Sequence, residues 1–429
     1  MNENIGYKDI FRQKEYMKMI VASLINRFGD SIDAIASTWI VYEITESAAW
    51  SAIIFALNKI PTVVVTPFAG AWVEGRNKKA IMVATDIIRA ICVAIVATGY
   101  LMGFLTPWIL AFTTITISTA EAFRGPANMA LTPKILEKKY YSYGMSLLTT
   151  LSSIVELVGT ALAAGIIAFI GTAGAIYLDM VTFFLSAAII MFVNSKEQGL
   201  SKQKFDATEY FETLKDGIKY VKREKAVLYF CGLAIFLNAI LVPLNGLQAP
   251  LSTEILHGGA EILSILGIAI TAGMIVGSAV YPVIQKSINN RGVVLLGGTG
   301  IGVYYLAIVC CEPLYDSRWF MYGFVSVLSF LLGMFATLLN SFMNVGFVSE
   351  LDEAYFARAA AVTTALSSAA TPVVSFIISA IAVMVNVEWL FIIAGILDLA
   401  VMPFFLRGAA FNEDTEDSNQ MVVETVSVE

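Results

Sequence analysis

Charge is what this sequence has least of. Only 14% of its 429 residues are Asp, Glu, Lys or Arg, against 58% hydrophobic, whereas a soluble domain carries about a quarter charged residues. So few charges cannot cover a core with a solvated surface, and the mean hydropathy of +0.75 agrees. Histidine is almost missing: His257 is the one such residue, which excludes His-based triads and His-rich metal sites. The four cysteines, Cys92, Cys231, Cys310 and Cys311, all fall in apolar runs, so they are expected to pack as small hydrophobes rather than form a disulfide framework. There is no Gly-rich nucleotide loop, metal-ligand cluster or nucleophile with its base. An enzyme, an ATP-driven pump and a bound cofactor or metal are therefore not expected. Residues 1–16 are polar and the first apolar run is longer than a signal h-region, so it is read as helix 1 rather than a cleaved leader.

What is present is a series of long apolar runs. A helix needs about 20 such residues to cross a bilayer, and backbone in lipid must bond within a helix or a closed barrel. Barrel strands would alternate; these runs do not. The runs predict helices 1–6 at 17–44, 48–74, 79–104, 107–132, 142–170 and 172–194, and helices 7–12 at 226–251, 261–285, 292–312, 318–348, 355–384 and 387–408. The expected fold is an all-α membrane protein of twelve transmembrane helices in two six-helix bundles, 17–194 and 226–408. A short cytoplasmic segment (1–16) precedes them, a linker (195–225) joins them, and a disordered acidic cytoplasmic tail (409–429) follows. Basic residues favour the cytoplasmic side, and placing both termini there puts 22 of the 27 lysines and arginines in inner segments. In the linker, Asp206-Ala-Thr-Glu209 reads as a capping box. Tyr210, Leu214, Ile218 and Val221 follow at helical spacing, predicting an amphipathic helix along the cytoplasmic interface or a solvated linker helix. Trp50, Trp108, Trp319 and Trp389 adjoin outer turns, as an interfacial belt would.

Ionisable residues inside the spans are costly and need partners or a polar cavity. Counted from the outer turns, Arg27, Asp30, Asp33, Lys59, Glu121, Arg124 and Glu156 fall in one layer about 9 Å thick near mid-membrane. The expected pairings are Lys59 with Asp33 across the first hairpin, and Arg27 with Asp30 and Glu121 with Arg124 along their own helices at i,i+3. A carboxylate left partly unpaired in low dielectric suits a proton carrier; Asp30 and Glu121 lead, with Asp33 and Glu156 also candidates. The alternative is a satisfied network that fixes helix packing. The second bundle offers neutral polar groups instead: Asn238, Asn245 and Gln248 on helix 7, Asn340 and Asn344 on helix 10, and one buried acid, Asp398, on helix 12. With Asn26, the five neutral residues named on helices 7 and 10 are the expected substrate contacts, although they also suit helix–helix contact. Gly273-Met-Ile-Val-Gly277 and the stretch Gly159 to Gly165 are read as close-packing surfaces.

Between helices 2 and 3 the chain reads Gly70-Ala-Trp-Val-Glu74-Gly-Arg76-Asn-Lys78-Lys79, then Asp86-Ile-Ile-Arg89. This resembles the cytoplasmic loop motif of the major facilitator superfamily. Asn26-Arg-Phe-Gly-Asp30, Lys59-Ile-Pro61, Phe123-Arg-Gly-Pro126-Ala127 and Tyr177-Leu-Asp179-Met-Val-Thr-Phe183-Phe184-Leu-Ser186 look like its drug:proton antiporter branch, which includes macrolide-efflux and enterobactin-exporter proteins. The resemblance implies a cavity lined by helices 1, 4, 7 and 10, alternating access, and a cytoplasmic gate of Gly70, Glu74, Arg76, Lys78, Lys79, Asp86 and Arg89. Two departures stand out. Gly75 follows the acid where the family has a basic residue, and the helix 5 stretch Gly159-Thr160-Ala-Leu-Ala-Ala-Gly165 lacks the family's proline.

The function this predicts is proton-coupled efflux of a bulky, partly apolar organic solute, of the drug, macrolide or siderophore class. Its partners would be the solute, protons and the lipid bilayer, with no nucleic acid. The protein is expected to work as a monomer in the cytoplasmic membrane of a bacterium. The competing readings are an importer or facilitator of a nutrient or lipid, and a non-transporting membrane sensor or scaffold.

Overall fold

The computed structural model describes residues 10–74, 76–195, 207–349 and 356–408, and among these there is helix but no strand. The acidic tail, residues 1–9, Gly75 and Asp206 of the expected capping box lie outside the described residues, as does the side chain of Glu74. The first unit contains α1 (Lys14–Thr45), α2 (Ala48–Val64), α3 (Thr66–Glu74), α4 (Lys78–Leu101), α5 (Pro107–Ile135) and α6 (Tyr141–Met191). Local chemistry sets their starts. Ser47 caps α2 by accepting from the Trp50 N–H, Asn77 caps α4 through the Ala80 N–H, and Thr106 caps α5 just before Pro107, the positions such residues favour. Pro61 precedes the break at Val65 that separates α2 from α3. At 51 residues, α6 would be about 76 Å long if straight, more than twice the hydrocarbon thickness. Gly171, with φ 76° and ψ 167°, divides it in two, a conformation that glycine adopts without the Cβ penalty.

The second unit holds α7 (Ala207–Arg223), α8 (Lys225–Ile240), α9 (Ala260–Ser287), α10 (Asn290–Cys310), α11 (Arg318–Ser349), α12 (Phe356–Ala382) and α13 (Val387–Gly408). Compactness divides the chain near residue 206, so the linker helix α7 groups with the second unit; Gly259–Ser264, at the start of α9, groups with the first. After α8 the chain does not continue as one predicted helix to 251. Pro243, Gly246 and Pro250 break it into Val242–Gly246, Gln248–Pro250 and a π turn, Leu251–Ile255, since proline lacks the N–H a helix interior needs. Eight of the described helices are long and apolar enough to span a bilayer. The protein is an all-helical, multi-pass membrane protein.

Within the second unit, glycines set how closely two helices approach. A Cβ on Gly273 would collide with the Phe330 carbonyl, one on Gly333 with the Ile270 carbonyl, and one on Gly277 would come 2.7 Å from the Met334 carbonyl. Backbones of α9 and α11 therefore touch, as small residues at membrane helix contacts permit. On α7, Val221 joins Val227, Cys231, Ala359 and Val362 in one apolar cluster, and Gly217 lies against Val362 and the Arg358 carbonyl. Ile218 and Val221 are thus covered by α8 and α12, and Lys215, Lys219 and Lys222 are exposed.

Candidate functional site

The polar heart of the first unit is a cross-braced network at one level of the bundle. Three helices each supply two residues one turn apart: Asn26 and Asp30 on α1, Asp86 and Arg89 on α4, Glu121 and Arg124 on α5. Because α4 and α5 run antiparallel, their charges meet in register. Arg124 Nε donates to Asp86 Oδ1 at 2.5 Å, and Arg89 Nη1 donates to Glu121 Oε2 at 2.7 Å. α1 adds one partner to each α4 residue: Asn26 Nδ2 donates to Asp86 Oδ1 at 3.2 Å, and Arg89 Nη2 donates to Asp30 Oδ1 at 2.6 Å. α6 completes both, with the Ser186 hydroxyl on Asp86 Oδ2 at 2.7 Å and the Phe183 ring 4.1 Å under the Arg89 guanidinium. Asp86 is fully buried and accepts three hydrogen bonds, the satisfaction a buried carboxylate requires.

Exposure grades across this network. Arg89 is buried, with 6% of its side chain exposed, while its two carboxylate partners are 34% (Asp30) and 48% (Glu121) exposed. Two acids therefore share one cation from its more exposed side. Asp179, one turn from Thr182 and Phe183 on α6, is buried and accepts from Thr182 Oγ1 at 3.1 Å. A Cβ on Gly29 would collide with both Thr182 and Asp179, so α1 lies directly over this acid.

The pairings expected along single helices are replaced by pairings between helices. Arg27 bonds Glu156 on α6 at 2.5 Å rather than Asp30, and Glu121 and Arg124 bond α4 rather than each other. Residues three apart on a helix diverge by about 60°, so each can face a different neighbour and bury its charge there. Lys59 does not meet Asp33. Asn58 donates to Ser118 on α5 at 3.1 Å, which sets the rotation of α2; Lys59 lies 5.4 Å from the Phe55 ring, and Asp33 accepts from Ser37 at 2.9 Å. Asn26, expected at the substrate, is buried and holds Asp86. Of the expected gate residues, Asp86 and Arg89 sit in this network, Arg76 stacks 3.6 Å over Trp72, Lys78 is buried, Lys79 is half-buried and Gly70 has open space beside it.

In the second unit Asn238, Asn245, Asn340 and Asn344 are exposed and Gln248 is half-buried. Asn238 donates to its own helix at Ala234, and Asn344 donates to Asn340 Oδ1 at 2.6 Å. Residues that sequence reasoning left out of the site are Asp179, Thr182, Phe183 and Ser186. Their i, i+3, i+4, i+7 spacing, one face of a helix, was the available signal. Among the described residues no group of three or more His, Cys, Asp or Glu could hold a metal ion.

A multi-pass helical bundle with a charge network buried across its helices fits the class of a solute transporter. The chain belongs to the major facilitator superfamily, in the transmembrane secretion effector family, whose profile matches residues 9–429. It is 20% identical to macrolide efflux protein A of Streptococcus pyogenes, over 86% of this chain and 90% of that protein. It is 22% identical to the multidrug efflux pump Tap of Mycobacterium bovis (strain BCG / Pasteur 1173P2), over 69% of this chain and 72% of that one. A further match, 22% identical, is the uncharacterized MFS-type transporter YvqJ of Bacillus subtilis (strain 168), where 63% of this chain aligns with 65% of the relative. Among solved structures it resembles the nucleoside transporter NupG, with a TM-score of 0.71 at 11% identity over 92% of this chain and 98% of that one. That likeness concerns the fold alone.

Proposed function

We infer that this transporter exports a bulky, partly apolar organic solute in exchange for protons, by alternating access between its two halves. The observation that carries the coupling is the shared arginine. With Asp30 and Glu121 both on Arg89, and both partly exposed, either acid can take a proton while the arginine keeps an ionic partner. The buried cation is then never left unpaired, which would be costly. Asp33 and the Arg27–Glu156 pair extend the same proton path along α1 and α6. Export and the drug or macrolide class rest on the named activities of the efflux relatives. Asn238, Asn245, Gln248, Asn340 and Asn344 are the proposed solute contacts; those exposed have room for a ligand that residues buried in helix contacts would not. In this reading all twelve predicted spans cross the cytoplasmic membrane of a bacterium, both termini are cytoplasmic, one chain suffices, and the Glu74–Asp86 segment acts as the inner gate.

Proteoliposomes with an imposed proton gradient test this. Efflux-directed flux of a macrolide or lipophilic cation should follow the gradient. Asp30→Asn and Glu121→Gln should each remove gradient dependence without loss of folded protein. Flux indifferent to the gradient, or normal proton-driven flux in both variants, would overturn the assignment.

A further inference from the structure

The second unit contains one buried acid that no pairing explains. Asp398, at the middle of α13, has 0% exposure; among the described residues no side chain hydrogen-bonds either carboxylate oxygen, and the polar group beside it is the Gly302 backbone. It lies in a tight seam. A Cβ on Gly302 of α10 would come 2.8 Å from Asp398 Oδ2 and 2.8 Å from Leu399, and one on Gly395, a turn before Asp398, would come 3.0 Å from the Gly302 carbonyl. Two glycines therefore let α10 and α13 approach closely enough to seal the carboxyl between them.

Among the described residues, the surroundings supply no positive charge. The titratable groups on the elements packed against α13 are Tyr304, Tyr305 and Cys310 on α10, Tyr229 and Cys231 on α8, and Glu254 on the Leu251–Ile255 turn. Tyr305 spends its hydroxyl on the Ile240 carbonyl at 2.6 Å. The cations on those elements, Lys225, Arg291 and Arg358, stand in the first turns of their helices, and Arg407 stands at the end of α13. The first unit makes the contrast plain. There too the third span packs on the sixth, and Arg89 lies eleven residues into α4, where Gly302 lies twelve into α10. The acid of the second seam faces a glycine at the depth where the first offers an arginine. An isolated carboxylate in low dielectric is among the most costly groups a fold can bury, and neutralisation is the usual escape.

We propose that Asp398 is a proton-binding site of the second bundle, neutral while the α10–α13 seam is closed, and that its proton exchanges only when the seam parts. The step is proton transfer from hydronium to the carboxylate: one O–H bond forms on Asp398, one breaks in H3O⁺, and a water molecule is left. By linkage, loss of the proton favours opening and opening favours its loss.

Infrared spectra of the full chain in lipid nanodiscs test this. A protonated carboxyl in a dry site has a C=O stretch distinct from ionised carboxylates. The band should be present near neutral pH, absent from Asp398→Asn and retained in Asp179→Asn. Asparagine is a neutral near-isostere, so Asp398→Asn should fold and melt at or above the wild-type temperature. An unchanged band in Asp398→Asn, or failure of that variant to fold, would overturn the proposal. On transfer to D2O the wild-type band should shift slowly, as for a site that needs local opening, and Gly302→Ala should speed the shift by about tenfold. An immediate shift in the wild type would overturn the closed seam; if Gly302→Ala does not fold, the wild-type rate alone decides. Neither readout needs solute transport, so a failure of proton-driven efflux would count against the proposed function and leave this site standing.

Discussion

Arg89 and Arg27 illustrate how the same ion pair differs with depth. Arg89 is buried between two carboxylates, so Arg89→Gln leaves both without their cation and should cost about 3 kcal/mol, read as a lowered thermal midpoint in detergent. Arg27 and Glu156 are both nearly half-exposed, and Arg27→Gln should cost no more than about 1 kcal/mol. Equal losses would contradict the burial gradient. At the start of α1, the Asn194 N–H (2.6 Å) and then Lys18 (2.9 Å) hold the Glu15 carboxyl below its ordinary value of 4.5. A group lowered on folding contributes stability above its unfolded value and loses it as pH falls through the folded one. Glu15→Gln should therefore be less stable than wild type near neutral pH, and the two melting curves should converge in acid. The residue types were legible in the sequence; the partners were not, because each partner stands on another helix.

Among the elements, the helices could be placed from the apolar runs, and Ser47, Asn77, Thr106 and Asn289 cap four of them, but the breaks at Val65 and after Ile240 were not foreseen. What could not be read was rotation. Asn58 bonding Ser118 turns Lys59 away from Asp33, and nothing in the local sequence announces that contact. Glycine separates contact from mere composition. A methyl on Gly29 would strike Thr182 and Asp179, whereas Gly70 and Gly165 have nothing within 4 Å of a built Cβ. Gly29→Ala should cost about 1–3 kcal/mol through overpacking. Gly70→Ala and Gly165→Ala should stay within about 0.5 kcal/mol. Thermal unfolding of the three variants side by side checks this, and a neutral Gly29→Ala would disprove the close approach of α1 and α6. The linker helix α7 shows a related limit: its amphipathic stripe was evident, but that α8 and α12 pack on Ile218 and Val221 depended on the packing of the second unit.

At the scale of the whole molecule, the orientation makes a direct prediction. Cys310 is exposed at the end of α10, on the side expected to face outward, while Cys92 and Cys231 are buried. A membrane-impermeant maleimide added to intact cells should label the wild type and fail to label Cys310→Ser/Cys311→Ser; labelling that appears only after the membrane is opened would reverse the orientation. The family match over residues 9–429 accords with the resemblance read from the loop after helix 2 and from the stretch containing Asp179. The sequence by itself determined that this is a helical membrane protein, because scarce charge and apolar runs of bilayer length leave backbone few other ways to satisfy its hydrogen bonds in lipid; the superfamily was legible only through the resemblance of its motifs. Only the tertiary structure decided which charges are neighbours. That Arg89 joins Asp30 to Glu121, and that Asp398 lies against Gly302 with no ion pair among the described residues, follows from how helices far apart in sequence rotate and cross, and burial then sets what each charge costs.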